Sequence, residues 1–79
     1  MDLWIRSQDR MELFNAKDIW IPNDADTSIW GQDGLKKTAL GFYKTTERAL
    51  EVLDEIDKLM SDAVNNGLKV ARYEMPKEW

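Results

Sequence analysis

Apolar and polar residues alternate over Leu3-Trp4-Ile5-Arg6-Ser7. This predicts a half-buried strand with Leu3 and Ile5 on one face and Trp4 and Arg6 on the other. Gln8-Asp9-Arg10 reads as a turn, Met11-Glu12-Leu13-Phe14 as a short second strand, and Asn15-Ala16-Lys17 as its break. A third strand is expected over Asp18-Ile19-Trp20-Ile21, stopped by Pro22 and the turn-rich Asn23-Asp24-Ala25-Asp26. Thr27-Ser28-Ile29-Trp30 offers a fourth strand, Gly31-Gln32-Asp33-Gly34 a loop, and Lys37 to Tyr43 a fifth strand.

The period then changes. Ala49, Leu53, Ile56, Met60 and Ala63 recur at helical spacing, with Leu50, Leu59 and Val64 widening the stripe, so an amphipathic helix is predicted from Thr46 to about Asn65. Thr45 is the expected N-cap, and Glu47 suits the positive end of the helix. Asn65-Asn66-Gly67 ends it, with Gly67 free to adopt the left-handed conformation. Leu68 to Tyr73 alternates as a last strand, closed by Pro76. These elements predict a single α+β domain over residues 1–79, an antiparallel sheet of four to six short strands with the helix across one face. Leu50, Leu53, Ile56, Met60, Ile5 and Ile19 are the expected core.

Composition narrows the chemistry. With 43% hydrophobic and 33% charged residues, the chain is rich enough in apolar side chains to fold rather than remain disordered. It has no Cys and no His, which removes disulfides, thiol chemistry and N/S zinc sites together. No apolar run approaches the ~20 residues of a membrane span. An acid at position 2 stands where a secretion leader carries bases, so a cytoplasmic location away from membranes is expected. The net charge is −4, and six acids (Glu47, Glu51, Asp54, Glu55, Asp57, Asp62) against Arg48 and Lys58 place that excess on the helix. Such a balance disfavours general binding to nucleic-acid backbones.

Three stretches carry a family likeness: Ile5-Arg6-Ser7-Gln8-Asp9-Arg10, Leu40-Gly41-Phe42-Tyr43-Lys44-Thr45 running into Glu47 to Ile56, and the tail Tyr73-Glu74-Met75-Pro76. Together they resemble small uncharacterised proteins of phages and prophages in Gram-positive bacteria. The likeness spans most of the chain but leaves out Pro22 to Lys37. It implies a setting, a phage or prophage accessory protein in a bacterial cytoplasm, and carries over no catalytic or binding residue.

Tryptophan is the outstanding composition signal: Trp4, Trp20, Trp30 and Trp79. If Leu3, Ile5, Ile19 and Ile21 face the helix, Trp4 and Trp20 lie on the opposite face and need a second cover. A dimer partner, a foreign protein, or the segment Asn23 to Lys36 with Ile29, Trp30 and Leu35 folded back would each serve. Enlarging a small core is the bland use of these rings. Aromatics beside Arg6 also suit a protein interface, and Trp can stack on single-stranded nucleic acid if Arg6, Arg10, Lys36, Lys37, Lys69 and Arg72 gather around it. The acids Glu51, Asp54, Glu55, Asp57 and Asp62 read first as a solvated helix face, with Asp54–Lys58 a favourable pair, and second as a docking surface for a basic partner.

Catalysis has little to build on, because no nucleophile motif is present and paired carboxylates have no enclosing pocket in so short a chain. Asp24-Ala25-Asp26-Thr27-Ser28 lacks the Gly and Glu of a calcium loop, and Gly31 and Gly34 are too sparse to cradle a phosphate, so no metal or cofactor is expected. The expected function is therefore non-enzymatic protein–protein contact, with countering a host defence system as one concrete version and homodimerisation as a further partner. A single-stranded nucleic-acid module using the Trp face is the alternative.

Overall fold

In the computed structural model, which describes residues 2–23 and 26–78, the alternation at the start of the chain becomes strand β1 (Asp2–Arg6). Leu3 and Ile5 are buried beneath it while Trp4 and Arg6 are half-buried on its other face. The strands β2 (Leu13–Ala16), β3 (Asp18–Trp20), β4 (Ser28–Asp33) and β5 (Lys36–Phe42) follow, then helix α1 (Thr46–Asn65) and strand β6 (Val70–Glu74). The class is α+β, with the helix packed against sheet.

The six strands do not form one antiparallel sheet. They divide into two three-stranded sheets, ordered β2-β1-β6 and β3-β4-β5, so the segments around Ile5 and Ile19 lie in different sheets. β6 also joins β1 in parallel, with Leu3 opposite Ala71 and Ile5 opposite Tyr73. The division has a local cause. Only Lys17 separates β2 from β3. One residue cannot close a hairpin, which needs two or more, so the chain leaves the first sheet instead of folding back along it. Lys17 N–H then donates to Gln32 O at 2.9 Å, seating β3 beside β4.

Other boundaries move for reasons equally local. Met11 and Glu12 belong to the turn rather than to the second strand, and Asn15 and Ala16 continue that strand instead of breaking it. The turn is built by Ser7, whose N–H donates to Glu12 O at 2.9 Å, and by Asp9, whose Oδ1 accepts from Ser7 Oγ and Met11 N–H. Arg10 closes it with a φ of 67°. Gly31-Gln32-Asp33 is strand, not loop. A Cβ on Gly31 would stand 2.9 Å from Leu40 Cδ1 and 3.1 Å from Phe14 Cε2, so this glycine lets the two sheets approach. The fifth strand begins one residue earlier and ends before Tyr43, and the last strand runs Val70–Glu74 instead of Leu68 to Tyr73.

The helix follows the predicted span. Thr45 Oγ1 accepts from Arg48 N–H at 3.0 Å as the N-cap. At the far end Gly67 takes a φ of 70°, with Gly67 N–H donating to Val64 O and Leu68 N–H to Ala63 O, the two bonds of a Schellman cap. Its buried face keeps Ala49, Ile56 and Ala63 of the expected stripe but is turned toward Val52. Ala49, Val52, Ile56 and Ala63 point inward, Leu53 and Met60 lie at the edge, and Leu50 is 47% exposed. Val52, outside the expected stripe, is fully buried.

One apolar cluster joins both sheets and the helix through Leu3, Ile5, Phe14, Ile29, Leu40 and Ile56 among others. Ile19 packs only partly against it. Of the segment Asn23 to Lys36, one of the three candidate covers, the described residues from Ser28 onward enter the β4–β5 hairpin, in which Ile29 is core and Leu35 is wholly exposed.

Candidate functional site

The division into two sheets separates the tryptophans. Trp20 and Trp30 are direct cross-strand partners in β3 and β4. Trp4 belongs to the other sheet, opposite Asn15 on one side and Arg72 on the other. Trp79 lies outside the described residues. Trp30 is fixed by a relay: its indole Nε1 donates to Ser28 Oγ at 2.9 Å, and that hydroxyl donates to Asp26 Oδ1. The bonds from Ser28 Oγ and N–H hold the Asp26 carboxyl below its usual range. All three described rings are half-buried, so part of each serves the fold.

Register places Trp4 and Arg6 on one face of the β2-β1-β6 sheet with Leu13, Val70, Arg72 and Glu74. Leu13 and Val70 are about half exposed there. Asn15 Oδ1, on the same row as Trp4, is buried without a hydrogen-bond partner among the described residues. The six cations do not gather on this face. Arg10 pairs with Glu74 at 3.3 Å at its end, Lys36 pairs with Glu12 at 2.8 Å and sits 6.0 Å from the Phe14 ring centroid, and Lys37 lies opposite Gln32 in the other sheet.

The acids of α1 also divide. Arg48 draws in Glu78 through Nε at 2.6 Å and Nη2 at 2.9 Å, and its Nη1 reaches Glu51 and Glu55 at 3.4 Å each. Tyr73 donates its hydroxyl to Glu55 at 2.9 Å. The guanidinium keeps the Glu78 carboxyl below its usual range. Glu51 and Glu55 thus help tie the C-terminal tail to the helix. Beside this cluster, burial pushes the Tyr43 hydroxyl up to about 12, with the nearby Glu78 charge adding to it. Burial and the Glu55 bond raise Tyr73 as well. The expected Asp54–Lys58 pair is not among the ion pairs of the described residues.

Asp54 lies on the other flank, beside a groove of about 410 Å³ between α1 and the corner where β2 passes into β3. Leu3, Ala16, Ile19, Leu53, Ile56 and Met60 line its apolar part, and Lys17, Asp18, Asp54 and Asp57 its polar part. Of these residues, the sequence pointed to Asp54 and Asp57, as part of the acidic face of the helix, and to none of the apolar ones as contacts. The available signal was an apolar stripe on α1 wider than one sheet face can bury, with Asp54 and Asp57 set beside Leu53 and Met60. Among the described residues no group of three or more His, Cys, Asp or Glu is arranged to hold a metal ion.

Comparison with known proteins returns no matching family model, no matching curated protein and no matching solved structure. No helix of the described residues is long and apolar enough to cross a membrane.

Proposed function

We propose that this chain is a non-enzymatic binding module that acts by contact with another protein, as an accessory protein of a phage or prophage inside a bacterial cell. The observation that carries the reading is the groove beside α1. Leu53, Met60 and Ile19 remain only partly covered by the chain's own core, in a concave site that flat surface residues do not make. The phage setting rests on the sequence resemblance, and interference with a host defence system is one concrete form of it.

Affinity capture from a Gram-positive host lysate tests this. A protein should be enriched by the wild-type chain and by Trp4→Ala, and lost with a folded Met60→Lys variant. Absence of any enriched protein would remove the reading. Loss with Trp4→Ala alone would move the contact to the outer face of the β2-β1-β6 sheet.

A second reading for that face rests on two of the six cations alone, Arg6 and Arg72, which flank Trp4 there. It would make the chain a single-stranded nucleic-acid module, with bases stacked on Trp4. Titration with single-stranded DNA and RNA should then quench tryptophan fluorescence, weakening steeply with salt.

A further inference from the structure

We propose that the groove beside α1 captures a basic, amphipathic polypeptide segment. Its apolar side chains enter between α1 and the β2–β3 corner, and its flanking Lys or Arg residues meet Asp18, Asp54 and Asp57. The inference rests on reading the groove as the protein-contact surface and adds the chemistry of the partner.

Charge complementarity selects the occupant. Asp18, Asp54 and Asp57 are exposed and form no ion pair or side-chain hydrogen bond among the described residues. The single cation of the lining, Lys17, is already 3.7 Å from Asp2 Oδ1. With three carboxylates against one ammonium, the rim is net negative around an apolar floor. Along the same flank of α1, at 100° per residue, Leu50 and Val64 follow Leu53 and Met60, and they are 47% and 61% exposed. An apolar strip bordered by carboxylates matches a segment that alternates apolar anchors with cations. A second copy of this chain, at net −4, would bring more acids to an acidic rim. Anchors in the groove supply the hold, and the rim charges supply selection and salt dependence.

The probes are a fluorescent amphipathic peptide of leucine and lysine, its glutamate-for-lysine counterpart, and a lysine peptide with serine for leucine, followed by anisotropy at low and high salt. The leucine–lysine peptide should bind at least about tenfold more tightly than either control. Asp54→Lys with Asp57→Lys should weaken it at least about tenfold and flatten its salt dependence. Both positions are exposed, and circular dichroism verifies that the double variant folds. Equal binding of the glutamate peptide, no binding of the leucine–lysine peptide, or indifference to the double variant overturns the proposal. If a lysate protein is still captured and lost with Met60→Lys, the groove remains a contact surface with a partner of other chemistry. If Met60→Lys leaves capture unchanged, both readings fall.

Discussion

Gln8 joins parts of the chain far apart in sequence. Its backbone N–H donates to Leu40 O at 2.8 Å, its Oε1 accepts from Phe42 N–H at 2.7 Å, and its Nε2 faces the carbonyls of Phe42, Pro76 and Glu78. The residue is 4% exposed, so each lost bond leaves a buried group without water to replace it. Gln8→Leu should lower unfolding free energy by about 2–4 kcal/mol in urea titrations. Gln8→Glu should cost more, since it turns a carboxylate toward carbonyls. Tyr43 is the opposite case, because its hydroxyl is buried with no hydrogen-bond partner among the described residues. Tyr43→Phe should be neutral or stabilising by up to about 1 kcal/mol in the same titration. A Cβ on Gly41 would stand 2.8 Å from that hydroxyl, so Gly41→Ala should destabilise, and less so in the Tyr43→Phe background.

At the scale of elements, the helix was legible and its rotation only in part, since Ala49, Ile56 and Ala63 are buried as the spacing predicts but Val52 takes the place of Leu53. Both caps act through bonds within a few residues of Thr45 and Gly67, which is why the sequence revealed them. Which of Leu50 and Val52 turns inward depends on the sheets opposite. Val52→Ala should therefore cost about 1–3 kcal/mol and Ile56→Ala about 2–5, while Leu50→Ala should stay within about 0.5. Thermal unfolding of the three variants checks the order, and a Leu50 cost above that of Val52 would refute the observed rotation. Gly31→Ala should cost about 1–3 kcal/mol by forcing Leu40 and Phe14 apart, whereas the exposed Gly34 meets nothing within 4 Å.

For the whole molecule, pH dependence follows from two groups of side chains. Asp9, Asp26 and Glu78 titrate below their usual values when folded, through bonds from Ser7, Ser28 and Arg48 respectively. Their contribution is present above the ordinary carboxylate range and lost as pH falls through the lowered values. Tyr43 and Tyr73 are raised, so their contribution is present below the ordinary value of 10.0 and is lost as pH climbs beyond it, toward about 12 for Tyr43. The chain has no His or Cys, the side-chain types whose ordinary values lie between about pH 6 and 9. Denaturation midpoints should form a plateau there, with an acid shoulder and an alkaline one. Ultraviolet titration should show no tyrosine step near its ordinary value while the chain stays folded.

Sedimentation addresses assembly. The outer face of the β2-β1-β6 sheet sets Arg6, Arg72 and Glu74 among Trp4, Leu13 and Val70, which breaks up its apolar area. A mass near 9.2 kDa is expected at micromolar concentration. A mass near twice that would make this face a dimer contact.

The chain by itself determined the α+β class, the helix with both caps, the burial of Leu3 and Ile5 against the half-buried Trp4, and the lack of thiol and imidazole chemistry. Those properties depend on residues a few positions apart, or on residue type alone. Only the tertiary structure decided that Lys17 opens a second sheet, that β6 joins β1 in parallel, and that Glu51 and Glu55 turn to Arg48 while Asp54 borders a groove. Alternation says which side chains share a face, but it names neither the neighbouring strand nor its direction. Helical spacing likewise marks an apolar stripe without saying which edge of it the sheets will cover. Those choices are made by contacts between residues far apart in the chain, such as Phe14 with Gly31 and Gln8 with Glu78.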